Sequence, residues 1–103
     1  MSKEIIVAVS LIQNHFSIDE SELNLQDFSN AELEIKLSKI ISSMLNQDME
    51  RLLHAFYRID LNEKLFKKIL TEEAPDKISL KLAQEVIKRE LEKVKTREKY
   101  RSI

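Results

Sequence analysis

Apolar residues recur along most of the chain at the three- and four-residue steps that line one face of a helix. Ile5, Ala8, Val9, Ile12 and Phe16 follow that step, so the spacing predicts a first helix over residues 4–16. The β-branched run Ile5-Ile6-Val7 would also suit a buried strand, but no second strongly strand-like run exists to pair with it. The period is lost over residues 17–29, SIDESELNLQDFS, which hold four acids and no base and read as a connecting segment. Ile18, Leu23, Leu25 and Phe28 are apolar anchors that would fasten it, since a long structureless loop inside a small domain is uncommon.

The period returns after Ser29. Ser29 and Glu32 stand at the spacing of a capping box, in which the serine accepts from a free helix amide and the glutamate reaches back to the serine's own amide. Leu33, Leu37, Ile40, Ile41, Met44 and Leu45 then form a stripe to about Gln47, and Met49, Leu52, Leu53, Phe56 and Ile59 continue it. Asn46-Gln47-Asp48 is either a break between two helices or a polar interval in one. Asn62 suits an N-cap, with Leu61 and Phe66 placed as a hydrophobic staple around it. Leu65, Phe66, Ile69 and Leu70 give the buried face of that helix, and Pro75 ends it. Asp76 is expected to cap a last helix carrying Leu80, Ala83, Ile87, Leu91 and Val94, widened by Leu82 and Val86. The next positions of that stripe are Glu98 and Arg101, so the expected helical domain is 1–94, with 95–103 a solvated basic end. The architecture expected is all-α, an antiparallel bundle of four to five helices.

Composition narrows the function classes. The chain has no cysteine, which excludes disulfides, thiolate nucleophiles and cysteine-based zinc or iron–sulfur sites. It also has no glycine, where ordinary usage would give about seven, so glycine-rich phosphate cradles and nucleophile elbows have no motif here. With 43% hydrophobic and 34% charged residues the chain has the balance of a globular protein. No apolar run is long enough for a membrane span or a signal peptide, and a cytoplasmic location without membrane partners is expected. The formal charge is −1, but residues 1–50 hold nine acids and three bases while residues 51–103 hold nine acids and fourteen bases. The chain is electrically two-sided.

Candidate chemistry is sparse. His15 and His54 are the two histidines and neither lies in a metal-binding spacing. His15, at a helix end, suits an interaction with the helix dipole, and His54 reads as a surface or boundary residue. Asp19, Glu20, Glu22 and Asp27 lack the alternation and the glycine turn of a calcium loop, so neither a metal nor another cofactor is expected. Tyr57-Arg58-Ile59-Asp60, with His54 one turn earlier, is a candidate polar cluster. The structural reading sets Arg58 against a nearby acid such as Asp60 and packs the Tyr57 ring at the core edge. The run Lys88, Arg89, Lys93, Lys95, Arg97, Lys99 and Arg101, against Glu90, Glu92 and Glu98, is a candidate contact for a partner or for phosphates, with Tyr100 placed to stack on a base. The interspersed acids fit an exposed, self-paired helix better.

Two segments carry a family likeness. MERLLHAFYRIDLNEKLFKKIL over residues 49–70 and IKRELEKVKTREKYR over residues 87–101 resemble a small uncharacterised bacterial family of similar length, in which an L-Y-R-I-D-like segment precedes a short helix and an I-x-R-x-L-x-K-x-x-T-R-like segment closes the chain. Phe56 stands where that pattern has leucine, and the likeness covers about half of the chain. It implies a helical fold and brings no activity. The leading expectation is a non-enzymatic interaction or adaptor module whose partner is a second copy or another protein. The alternative is a nucleic-acid-associated regulator using the basic last helix, and the third reading is a small enzyme centred on His54 or Asp60.

Overall fold

The computed structural model describes residues 3–101, with side chains described as far as Arg97. Its elements are α1 (Lys3–Phe16), α2 (Glu20–Leu23), α3 (Asn30–Gln47), α4 (Met49–Ile59), α5 (Glu63–Glu72) and α6 (Ile78–Arg101). Helices α1, α4, α3 and α6 pack in turn around a shared core, and α5 lies against α6. The result is an all-α bundle of five long helices and the single-turn α2. No strand occurs among the described residues, and no helix among them is long and apolar enough to cross a membrane.

Helix α6 is the hub, because it packs against α3 and α1 most extensively and also meets α5 and α4. A central helix needs a wide apolar surface, and Leu82, Ala83, Val86, Ile87 and Val94 are all buried. The stripe from the sequence is corrected at one end, since Leu80 is exposed and Leu82 takes the core position. The helix itself continues to Arg101, with Lys95, Thr96 and Arg97 exposed beyond Val94. Across the core, Phe16 meets Phe56 edge-on at 6.3 Å between ring centroids, and Phe56 meets Phe66 at 4.8 Å.

Residues 30–59 form two helices. Asp48 ends α3, its amide donating to the Met44 carbonyl at 2.8 Å, and starts α4, its Oδ1 accepting from the Arg51 amide at 3.2 Å. One short polar side chain serves both helix ends. The capping box before α3 forms in half: Ser29 Oγ accepts from the Glu32 amide at 3.0 Å, but the Ser29 amide donates to Asp27. The Glu32 carboxylate instead accepts from three successive amides, those of Gln26, Asp27 and Phe28. A carboxylate that satisfies three consecutive donors closes the loop harder than a single reciprocal bond would. Lys77, whose carbonyl accepts from the Lys81 amide, stands at the start of α6 where Asp76 was expected.

The connecting segment is ordered as its apolar anchors require. Ile18 and Leu23 are buried, and Leu25 and Phe28 pack against the core. Without glycine, the left-handed backbone positions fall to Ser17, Asn24, Phe28 and Asp60. Ser17 and Asp60 each close a helix, with the Ile18 amide returning to Gln13 and the Leu61 amide to Phe56.

Two exposed carboxylates hold the short α2 region in shape, and they give it an acid sensitivity. The Ser21 hydroxyl and the Glu22 amide hold the Asp19 carboxyl below its ordinary 3.8, and the Ser29 amide does the same for Asp27. A carboxyl lowered on folding stabilises the fold above its unfolded value, and that contribution is lost as pH falls through the lower folded value. The protection of the Glu22 and Ser29 amides relative to their intrinsic exchange rates should therefore fall as pH is taken from about 4 downward, and Asp19→Asn with Asp27→Asn should flatten the change. An unchanged profile in that double variant would remove these two groups as its cause.

Candidate functional site

The C-terminus of α1 is where charged side chains converge. Arg51 and Arg58 lie seven residues apart on α4 and so project from one face of it. Arg51 Nη2 donates to the carbonyls of Phe16 at 3.0 Å and Ser17 at 2.7 Å. Arg58 Nη1 donates to the His15 carbonyl at 3.4 Å and to Ser17 Oγ at 3.3 Å. The last carbonyls of a helix have no partner within it and carry partial negative charge, so two guanidinium groups suit that end.

From the other side α6 presents Glu90, whose residue exposure is 0%. Its Oε1 lies 3.3 Å from His15 Nδ1 and 3.3 Å from Lys93 Nζ, while its Oε2 is buried without a hydrogen-bond partner. Glu90 follows Val86 and Ile87 by four and three residues, so helical geometry carries it into the core stripe. That periodicity was the signal in the sequence for its burial; its charge argued the other way. This polar hub ties α1, α4 and α6 together.

The second candidate is an apolar groove of about 510 Å³ between α4 and α5. Phe56 and Phe66 are buried residues at its base, Leu61 and Leu70 are half-buried along it, and Leu53 is 40% exposed. Tyr57 stands at its edge with 83% of its surface open to solvent. Three of the six aromatic residues of the chain therefore line one groove. Asp60, Glu63 and Lys67 supply its charged rim, with Glu63 and Lys67 paired at 3.4 Å.

The four residues of the expected polar cluster are dispersed by this arrangement. His54 is exposed on α4, Tyr57 and Asp60 border the groove, and Arg58 turns to the end of α1. Two expectations are corrected. Arg58 does not pair with Asp60, because Asp60 has the left-handed conformation that ends α4 and faces Arg89 on α6 at 3.4 Å. The Tyr57 ring does not pack at the core edge, because the neighbouring Phe56 takes the inward position.

The basic residues of α6 also divide. Arg89 pairs with Asp60 and Glu92, and Lys93 with Glu90, whereas Lys88, Lys95 and Arg97 are exposed. The side chains of Lys99 and Arg101 lie outside the described residues. Among the described residues no group of three or more histidines and acids is placed to hold a metal ion. No protein-family model matches the chain, and neither a curated protein nor a solved structure matches it.

Proposed function

We propose that this chain is a non-enzymatic protein-interaction module whose contact surface is the α4–α5 groove. The observation that carries the reading is Tyr57, a large aromatic side chain left open to solvent beside Leu53 and above Phe56 and Phe66. Aromatic residues over a concave apolar floor are the composition of interface centres, where tyrosine is among the residues that lose most binding energy on truncation. The dispersal of His54, Tyr57, Arg58 and Asp60 gives no support to a catalytic centre at those residues.

A photo-crosslinking amino acid placed at Tyr57 tests this in native lysate, with the same group at the exposed Lys39 on α3 as control. The expected result is a discrete protein product from position 57, absent from position 39, resistant to nuclease and lost in Leu53→Asp. A product at twice the mass of the chain would identify the partner as a second copy. Equal labelling from both positions, or a product removed by nuclease, would overturn the reading, the second outcome transferring it to the basic face of α6.

A further inference from the structure

The segment that joins α1 to α3 covers a seam between them. These two helices pack on α4 and α6 and make little direct contact with each other. The single turn α2 lies where they are apart. Leu23 borders two clefts, one walled by Val9 and Gln13 of α1 and the other by Lys36 and Ile40 of α3, and is itself 1% exposed. Ile18 and Leu23 are the buried side chains of residues 17–29, so the apolar attachment of the segment is narrow.

The remaining attachment is polar and sits at the two ends. The Glu32 carboxylate accepts from the amides of Gln26 at 2.7 Å and of Asp27 and Phe28 at 3.1 Å each. Lys36, 3.6 Å from the same carboxylate, donates to the Asn24 carbonyl. At the other end Arg51 holds the Ser17 carbonyl and Arg58 its hydroxyl. Both ends have left-handed backbone, with φ of 55° at Ser17 and 54° at Phe28. In phenylalanine the Cβ crowds the neighbouring carbonyl in that conformation, which persists only while the surroundings impose it. Glu32 imposes it here by holding the Phe28 amide. Once those bonds break, Phe28 is free to return to extended backbone, so the latch and the strain are released together.

We infer that residues 17–29 are a releasable strap, which opens as one unit about Ser17 and Phe28 while the five long helices stay folded, and so uncovers the α1–α3 seam. The packing of α1, α3 and α4 on α6 does not pass through the strap and survives its opening. A segment with two buried side chains and a cluster of exposed polar bonds belongs to the least stable part of a fold, from which movable covers are drawn. Glu32 is the latch, and Leu23 is the plug that it keeps in place.

Native-state hydrogen exchange of the whole chain, at fixed pH and in urea below the unfolding midpoint, reads this opening. The amides of Glu22, Asn24, Gln26 and Phe28 have separate acceptors in Asp19, Glu20 and Glu32. They should nevertheless share one opening constant, about 100-fold larger than that of the Val86 amide inside α6, and one urea slope smaller than the global slope. Glu32→Gln exchanges a charged acceptor for a neutral amide and should raise the strap constant about 10-fold. Ile69→Val changes a residue 3% exposed in α5, whose packing persists in the open state. It should raise the global opening read at Val86 about 5-fold and leave the strap constant unmoved. Four unrelated constants for the four amides would mean independent fraying and would overturn the inference. So would a strap constant equal to the global one, one that Ile69→Val shifts by the same factor as Val86, or one that Glu32→Gln leaves unchanged.

Discussion

Phe16→Ala should lower the stability of this chain by about 4 kcal/mol, the cost of removing a buried aromatic ring and leaving a cavity. The residue is 1% exposed, meets Phe56 edge-on and sits at the end of α1, where Arg51 holds its carbonyl. Small domains have only about 5–15 kcal/mol in total, so the midpoint of thermal unfolding should fall by about 20 °C. Tyr57→Ala is the matched control, because its ring is 83% exposed, and it should change stability by less than about 0.5 kcal/mol. Equal losses in the two variants would mean that the Tyr57 ring is packed in solution, and the groove would then lose its most exposed residue.

Glu90 gives the second large effect, and here the direction depends on the replacement. Glu90→Ala removes the carboxylate, leaves a void and strips Lys93 of its partner, for a loss of about 3 kcal/mol. Glu90→Leu fills the void and removes a buried charge with one oxygen unsatisfied. His15 and Lys93 retain 18% and 20% side-chain exposure and can turn toward water, so this variant should be as stable as the parent or more stable by about 1 kcal/mol. Urea titration of both variants measures the difference. A leucine variant as damaged as the alanine variant would show that the carboxylate contributes net stability where α1 meets α6.

If Glu90→Leu does stabilise, the buried carboxylate serves specificity more than stability. A lone acid in an apolar stripe fixes the rotation of α6, because any other rotation separates it from His15 on α1. The same rotation sets Arg89 beside Asp60 at the rim of the groove. The hub and the groove are thus linked through two adjacent residues of one helix.

Local chemistry was legible in the chain. The apolar periods determined α1, α3, α4, α5 and the core of α6; Asn62 determined the start of α5, and Pro75 its end. These signals act within one or two turns, which is why a one-dimensional pattern contains them. The Asp48 break was only half legible, since an Asn-Gln-Asp interval suits a helix interior or a cap until the backbone chooses one.

Tertiary structure decided the rest. It buried Glu90 by wrapping α1, α3, α4 and α5 around α6, a burden that falls on the central helix alone. It took Arg58 away from Asp60 and aimed it at the His15 carbonyl and the Ser17 hydroxyl at the end of α1, residues more than forty positions distant in sequence. It also left Tyr57 outside and Phe56 inside, although both are aromatic and adjacent. Periodicity records that a helix has an apolar face. Which edge of that face remains uncovered depends on the neighbours that pack against it, and the α4–α5 groove exists because two amphipathic helices meet at an angle set by the rest of the bundle.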